Sequence, residues 1–275
     1  MNKFTRKELL SENINNIILN KDYILKDNTI LKKGFKLNIN IEISKYNVES
    51  IWDDLCKLDT YNVNEKLNLD FNNNPKWLSG SHPNLNYRGR SINRTKLWCQ
   101  EDTDGILIYN YTGFQYAVAQ ATFNIKKIKK IYDLANEMKK KTNGNHWIVT
   151  KYKNHNDSIG LHSDKMKNWY ANSSFHVVKF GVPRRFLVVL NDKNETVLFD
   201  MYLPQGTSII MDMFTNKITK HGVPKNENEC GESGSIVSRF IKTKLSIEKF
   251  NKKLYQSELN KKKRKEKKIS LTGGK

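Results

Sequence analysis

The sequence of 275 residues has no apolar run approaching the roughly 18 to 20 residues that a membrane-spanning helix needs. No secretory signal is evident either, because the amino-terminal stretch MNKFTRKELLSENINN lacks a continuous apolar core. We therefore expect an intracellular protein, nuclear or cytoplasmic and not secreted, with no membrane partner.

Cysteine is scarce. The chain has three, Cys56, Cys99 and Cys230, which are widely spaced and include no CxxC pair. An odd number of scattered cysteines argues against a disulfide framework and against a zinc knuckle. This use of cysteine is typical of a reducing compartment.

Basic residues outnumber acidic residues: the chain has 48 Lys and Arg and 28 Asp and Glu, and its net charge is +20. Residues 261–275 hold eight Lys or Arg and one Glu, which leaves a net charge of +13 on residues 1–260. A polyanion such as nucleic acid is the expected partner, because each neutralised phosphate releases counterions. An abundance of Lys, Asn and Ile encoded by an AT-rich genome is the alternative explanation.

Composition divides the chain into regions. Residues 1–85 contain one expected helix, NVESIWDDLCKL, and are treated as an amino-terminal extension of unknown role. The stretch 68–90 is rich in Asn, Pro, Gly and Ser and indicates a boundary. Residues 86–250 form the expected main domain, and residues 251–275 form a basic tail that we expect to be disordered.

Short apolar runs bounded by turn residues dominate from residue 94 onwards. Their β-branched and aromatic content predicts strands in RTKLWCQ, GILIYNY, HWIVTKY, FHVVKF, RFLVVL, ETVLFDMYL, GTSIIMDM and GSIVSRFI. One amphipathic helix interrupts them, FNIKKIKKIYDLANEMKKKTNG, with Gly144 placed to end it. Because strands and helices do not alternate, the pattern predicts an α+β protein with a jelly-roll core and flanking helices.

A candidate metal site begins with His162 and Asp164 in the stretch SIGLHSDKM. Two residues apart at a strand end, their side chains would point to the same side. A lone His-x-Asp is weak evidence, but His221 follows 57 residues after Asp164. Two imidazoles and one carboxylate on one face of a metal leave open positions opposite, as in non-haem iron(II) oxygenases. That chemistry favours redox-active Fe(II) over zinc.

Arg239 lies 18 residues after His221, in the run GSIVSRFI. A buried guanidinium can bind a carboxylate through two parallel hydrogen bonds, which lysine cannot do. In this chemistry the carboxylate is the distal one of 2-oxoglutarate, whose other end chelates iron. The alternative is that His221 caps a loop and Arg239 makes a surface ion pair.

Residues 94–244 resemble the AlkB-like branch of the 2-oxoglutarate/iron(II) dioxygenases. The similar segments, in order, are YNYTG, HWIVTKYKNHNDSIGLHSD, SSFHVVKFGVPRRFLV and LPQGTSIIMDMFTNKITKHGVPK. The resemblance implies a double-stranded β-helix core in which His162, Asp164 and His221 are catalytic and hold Fe(II). It also implies that Arg239 and Tyr152 bind the cosubstrate 2-oxoglutarate and that dioxygen is consumed. A strand tyrosine that only packs is the alternative for Tyr152.

The chain departs from the family members that repair alkylated bases. Those members follow His-x-Asp with acidic residues, whereas this chain has Lys165, Met166 and Lys167. Thr150 stands where the resemblance leads us to expect asparagine, and Leu245 stands where it leads us to expect a second arginine. Metal and cosubstrate binding tolerate these departures, but the usual repair substrate becomes doubtful.

Four residues are candidates for substrate binding: Arg90, Arg94, Trp98 and Trp169. The stretch HPNLNYRGRSINRTKLW supplies cations for phosphates and rings for stacking, which a single-stranded or flipped base requires. Trp169 follows the metal ligands and could form a pocket wall, with a core tryptophan as the alternative.

The resemblance therefore predicts an enzyme, an Fe(II)- and 2-oxoglutarate-dependent dioxygenase and thus an oxidoreductase. We expect it to demethylate or hydroxylate a nucleobase in DNA or RNA, with DNA repair as one setting, and to act as a monomer. Two alternatives stay open: a protein hydroxylase or demethylase of the same fold, and a catalytically inactive nucleic-acid-binding protein. The basic tail would add phosphate affinity, direct nuclear import, or do neither.

Overall fold

The computed structural model describes residues 23–24, 39–62, 77–79, 94–101, 104–109, 122–191, 193, 195, 197–226, 228 and 230–272. The strands within them are β1 (Tyr23–Ile24), β2 (Ile39–Glu42), β3 (Thr60–Asn62), β4 (Trp77–Ser79), β5 (Thr95–Gln100), β6 (Ile106–Leu107), β7 (Thr122–Asn124), β8 (His146–Tyr152), β9 (Ile159–His162), β10 (Ser174–Gly181), β11 (Arg184–Leu190), β12 (Val197–Leu203), β13 (Ser208–Asp212), β14 (Thr219–Val223), β15 (Ser233–Arg239) and β16 (Lys244–Leu245). The helices are α1 (Glu49–Cys56), α2 (Lys129–Thr142), α3 (Met213–Ile218) and α4 (Ile247–Thr272), with a short 3-10 helix at Ile125–Lys127.

Two mainly antiparallel sheets form the centre of the described chain. The larger sheet has the order β1-β2-β13-β10-β15-β8-β5-β4-β3, with β7 paired to β5, and the smaller sheet has the order β12-β11-β14-β9. Between β8 and β15 the chain passes from one sheet to the other at nearly every step. A mostly β protein with this alternation is consistent with the expected jelly-roll.

One hydrophobic core lies between the two sheets. It includes side chains from the larger sheet, among them Phe175 and Val177 of β10, and from the smaller sheet, among them Phe186 and Val188 of β11. Successive residues of a strand point to opposite faces, so Val178 of β10 belongs instead to a second core on the outer face. Each fully buried side chain of this size stabilises the fold by roughly 1.5–3 kcal/mol.

Helices α1 and α2 cover the outer face of the larger sheet, and both were predicted by the sequence. Trp52 of α1 stacks on Phe180 of β10, with ring centroids 5.6 Å apart. Helix α2 ends differently from the expectation, because Asn143, and not Gly144, adopts the left-handed conformation with φ of 54°. Gly144 meets a different requirement: a Cβ there would lie 1.7 Å from the hydroxyl oxygen of Ser238.

The described strands of the first 85 residues belong to the larger sheet. Strand β2 pairs with β13 at one side of that sheet, and β4 pairs with β5 at the other. Strands β2 and β4 therefore find partners beyond residue 94, whereas β1 pairs with β2 and β3 pairs with β4. That residues 1–85 are an amino-terminal extension of unknown role stays a prediction.

The carboxy-terminal region is helical where we expected disorder from residue 251. Helix α4 runs from Ile247 to Thr272 and crosses the expected boundary at 250. Lys, Arg, Glu and Leu are good helix formers, and Gln256 donates a hydrogen bond to Asn260 one turn later. None of the helices in the described ranges is both long enough and apolar enough to cross a membrane.

Candidate metal centre

Two neighbouring strands of the smaller sheet bring His162 and His221 together. Strands β9 and β14 are antiparallel, and His162 lies directly opposite His221 in their register. Directly opposite residues carry their side chains on the same face. The two ring centroids are 4.6 Å apart, and Phe175 from the larger sheet lies 5.2 Å from the ring of His221.

Asp164 completes a group of three potential metal ligands. One ligand atom from each of His162, Asp164 and His221 lies within 4.8 Å of the other two. The separation between His162 Nε2 and Asp164 Oδ1 is 3.7 Å. Ligand atoms about 2.0–2.2 Å from a metal and at right angles to one another are about 3 Å apart, so the side chains would move inward by about 1–2 Å to enclose an ion. The side chain of His162 is 40% exposed whereas Asp164 is buried, so the centre opens to solvent beside His162.

A backbone hydrogen bond fixes the orientation of the His162 ring. Its Nδ1 lies 2.8 Å from the carbonyl oxygen of Gly160. Because a carbonyl only accepts, Nδ1 carries the proton and donates, and Nε2 keeps its lone pair for a metal. Burial, reinforced by the charges of His162 and Arg239, lowers the pKa of His221 to about 3. His221 can therefore serve as a neutral imidazole ligand at pH 7, and the His162 ring is oriented to present Nε2 to a metal.

Arg239 binds the carboxylate of Asp164. Its Nε and Nη2 atoms both donate to Asp164 Oδ2, at 2.9 and 2.7 Å. Asp164 Oδ1, the oxygen that lies near His162, remains available to a metal. Burial alone would raise the pKa of Asp164, but the charges of Arg239, His221 and His162 outweigh it and lower that pKa to about 2.

In metal-free protein, the ion pair between Asp164 and Arg239 is expected to make the free energy of unfolding depend on pH. A carboxyl group whose pKa is depressed by folding stabilises the protein above its unfolded pKa and loses that contribution as the pH falls toward its folded pKa. For Asp164 the contribution is roughly 2–3 kcal/mol, complete above about pH 4 and lost toward pH 2. Urea unfolding between pH 2 and 6 measures it, and Asp164→Asn is expected to flatten the profile. An equally steep profile in that variant would contradict the assignment.

Asn216 holds the backbone of Asp164 and was missed by the sequence analysis. This fully buried residue of α3 accepts a hydrogen bond from the Asp164 N–H at 2.9 Å and donates to the Asp164 carbonyl at 3.0 Å. Helix α3 immediately precedes β14, so one short segment positions both Asn216 and His221. Nothing in the local sequence distinguishes Asn216 from the chain's many other asparagines.

Asn216→Ala is expected to weaken metal binding although it removes no ligand. Loss of a residue that orients a ligand typically lowers metal affinity about 10- to 100-fold. Asn145→Ala is the matched control, because Asn145 makes the same pair of hydrogen bonds with the backbone of Ile241. Titration with Co(II) checks the difference. Equal affinities for the two variants would show that Asn216 does not position Asp164.

The structure does not bring Tyr152 and Arg239 to the same place. In the pairing of β15 with β8, Arg239 lies opposite His146, whereas Tyr152 lies opposite Ser233. Six residues of strand separate these positions, which is roughly 20 Å. At this separation the two residues would not hold the same carboxylate, and the expectation that both bind 2-oxoglutarate stays a prediction. Arg239 is also no surface residue: it is buried and lies 4.8 Å from the ring of Tyr109.

The three candidate substrate-binding residues that the structure describes do not form an exposed surface. Trp98 and Trp169 are each 1% exposed, and both belong to the core between the sheets. For Trp169 this is the position that the alternative, a core tryptophan, predicted. Arg94 donates a hydrogen bond to the carbonyl of Ser158 at 2.7 Å, in the turn before β9. Arg90 lies outside the described residues.

Among solved structures, the chain is similar to that of OsALKBH1. The two sequences are 12% identical, and the superposition has a TM-score of 0.47. The match covers 75% of this chain and 98% of that chain. No protein-family model matches the sequence, and no curated protein matches it.

Proposed function

We propose that the chain is an Fe(II)- and 2-oxoglutarate-dependent dioxygenase of AlkB type, with β8–β15 forming a double-stranded β-helix. The observation that supports this most strongly is the convergence of His162, Asp164 and His221 within 4.8 Å. Two imidazoles and one carboxylate are a donor set for iron(II) that leaves coordination positions open. When bound, iron and 2-oxoglutarate supply the oxidising chemistry.

The protein's own residues have distinct tasks in this proposal. His162 and His221 offer ring nitrogens, and Asp164 offers the carboxylate oxygen that makes no hydrogen bond with Arg239. Arg239 keeps that carboxylate ionised and fixes its orientation. The ring of Phe175 next to His221 limits water on the inner side, so substrate is expected to approach from the exposed side of His162.

We further propose nucleic acid as the substrate and partner of a monomeric enzyme. The support is the net charge of +20, together with a long helix, α4, rich in Lys and Arg. A base within a duplex would have to be flipped out to reach the metal, so single strands are the simpler substrate. A protein substrate is the second candidate, favoured by Lys165 and Lys167 where base-repairing members of the family have acidic residues.

Mass spectrometry of a substrate panel tests the proposed activity. The panel contains methylated single-stranded DNA and RNA oligonucleotides and methylated peptides, each incubated with Fe(II) and 2-oxoglutarate. With wild type and with His155→Ala, a control at a histidine outside the triad, one nucleotide is expected to lose the mass of a methylene group (CH2, demethylation) or to gain that of an oxygen atom (hydroxylation). With His162→Ala no nucleotide is expected to change mass. Peptide turnover alone would establish the protein substrate, and no succinate from any substrate would contradict the proposal.

Exposed lysines of α4 are expected to contribute to the salt dependence of nucleic-acid binding. Lys252 and Lys253 are both exposed, and each contact with a phosphate contributes a slope of about 0.7–0.9 to log K against log salt. Replacing both by Gln is expected to lower that slope by roughly 1.5, measured by fluorescence anisotropy. Replacing the exposed Lys140 and Lys141 of α2 by Gln is the matched control, because it removes the same charge from another helix. Equal effects of both pairs would contradict a role for α4.

A further inference from the structure

Two basic residues and a tyrosine form a second buried group, between the two sheets. It consists of Tyr152, Lys179 and Arg184, which we call the basic cluster. Lys179 is 2% exposed, and Arg184 is fully buried. The Lys179 ammonium lies 5.6 Å from the centre of the Tyr152 ring, and the Arg184 guanidinium lies 5.1 Å from it. Two cations therefore share one buried ring.

Lys179 and Arg184 of the basic cluster have no acidic partner in the part of the chain that the structure describes. None of the ion pairs found between described residues includes Lys179 or Arg184. Arg184 donates to neutral acceptors, the carbonyls of Asn154 and Asp157 and the sulfur of Cys230. A buried charge without a counter-ion is costly, by several kcal/mol per ion. Lys179 and Arg184 thus lack a counter-ion among the described residues.

Unused hydrogen-bonding groups adjoin the two cations. Ser233 lies opposite Tyr152 in register and is fully buried, and its hydroxyl has no partner in the part of the chain that the structure describes. The Arg184 Nε atom is also buried and has no hydrogen-bond partner among the described residues. Next to Lys179 in register lies Ser235, which adds a second serine on the same face of the sheet. Cations and a free hydroxyl are the groups that bind a carboxylate.

The basic cluster faces the same interior as the metal centre. On β10, Lys179 is four residues from Phe175, which is about 13 Å along the strand. The ring of Phe175 lies 5.2 Å from that of His221. On β11, Arg184 is two residues from Phe186, whose ring is 6.2 Å from that of His221. Residues two or four apart on a strand point to the same face. Both cations therefore face the same interior as the ring of His221.

We propose that the basic cluster binds the distal carboxylate of the cosubstrate, with Lys179 as its main cation, and that Arg239 does not. This inference rests on the proposed function, which makes the cosubstrate 2-oxoglutarate. Lys179 and the Ser233 hydroxyl donate to the carboxylate, and Arg184 adds positive charge beside it. Arg239 is already committed to Asp164 through two hydrogen bonds.

Binding of two oxoacids to Mn(II)-loaded protein tests the inference without turnover. 2-Oxoglutarate carries a distal carboxylate and 2-oxobutanoate does not, so only the former can use the basic cluster. Calorimetry with wild type is expected to show 2-oxoglutarate binding at least 30-fold more tightly. Lys179→Met is expected to lose most of that preference while binding 2-oxobutanoate as before. Lys151→Met is the matched control, because Lys151 pairs with Glu232 outside the cluster.

Proton uptake provides a second readout. Burial, followed by the charge of Arg184, lowers the pKa of Lys179 to about 7. The titratable groups around it are Tyr152 of β8 and Arg184 of β11, with Lys96 of β5 further along the same row of the sheet. A carboxylate beside the ammonium would raise that pKa again. At pH 8, 2-oxoglutarate is therefore expected to bind with uptake of nearly one proton, seen by calorimetry in buffers of different ionisation enthalpy.

The possible outcomes separate this inference from the proposed function. If Lys179→Met keeps the full preference for 2-oxoglutarate and the same proton uptake, the inference is overturned and the proposed function stands. If metal-loaded wild type binds 2-oxoglutarate no better than 2-oxobutanoate, both are overturned. Circular dichroism and thermal unfolding of each variant show that it is folded. Loss of the preference in Lys179→Met alone, with the fold retained, supports the basic cluster.

Discussion

Asp164→Ala is expected to abolish iron binding and to lower the free energy of unfolding by about 3–5 kcal/mol, even without metal. The variant loses one of three ligands, so binding of Fe(II) or Co(II) should fall beyond measurement. It also leaves the buried Arg239 guanidinium without its carboxylate, and an unpaired buried charge is costly. Metal titration followed over the Co(II) absorption bands measures the first effect, and urea unfolding in chelator measures the second.

Asp133→Ala is the control for this experiment. Asp133 pairs with Lys129 on the surface of α2, where both side chains are more than half exposed. Exposed pairs contribute at most about 1 kcal/mol, so this variant is expected to bind metal normally and to lose little stability. Wild-type metal affinity in Asp164→Ala would remove Asp164 from the ligand set. A loss of stability no larger than that of the control would show that the pair with Arg239 is not formed.

Arg239→Met is expected to weaken metal binding by about 10- to 100-fold, although Arg239 contacts no metal. Without the guanidinium, burial raises the pKa of the Asp164 carboxyl, which then tends to hold a proton instead of an ion. The carboxylate also loses the two hydrogen bonds that orient it. Titration with Co(II) in the absence of any cosubstrate measures the effect. If Arg239 acted only on the cosubstrate, metal affinity in this assay would be unchanged.

A second buried ion pair supplies the matched control for Arg239→Met. Arg185 of β11 donates to both carboxylate oxygens of Asp200 on β12, at 2.6 and 2.7 Å, and both residues are 9% exposed. Arg185→Met is therefore expected to cost a similar amount of stability, about 3–5 kcal/mol, and to leave metal affinity unchanged. Equal metal affinities in the two variants would contradict the positioning role of Arg239.

The sequence predicted the main strands, two helices and the group formed by His162, Asp164 and His221. It succeeded for strands such as β8 and β10 because their β-branched and aromatic residues form long apolar runs. It placed His162 at a strand end, but it did not predict the bounds of β9 or the existence of β14, because IGLH and TKHGV are short and contain glycine and polar residues. Their order comes from pairing with each other and with β11, and no local pattern reveals that pairing.

Spacing along the chain could not determine the partners of Arg239. The interval from His221 placed Arg239 near the triad, but only the strand register shows that it lies opposite His146 and six residues from the partner of Tyr152. The basic cluster was missed for a related reason. Lys179 and Arg184 look like two more basic residues in a basic chain, and only burial between the sheets distinguishes them. Aromatic residues next to arginines likewise suggested a binding surface, whereas Trp98 faces the core.

Anomalous diffraction from crystals grown with Mn(II) or Fe(II) tests the metal centre most directly. Data collected on either side of the absorption edge of the metal locate the ion without reference to any assumed ligand. The expected result is one strong peak about 2.0–2.2 Å from His162 Nε2, Asp164 Oδ1 and a ring nitrogen of His221. A peak at other side chains, or His162 and His221 left without metal at saturating concentration, would contradict the assignment.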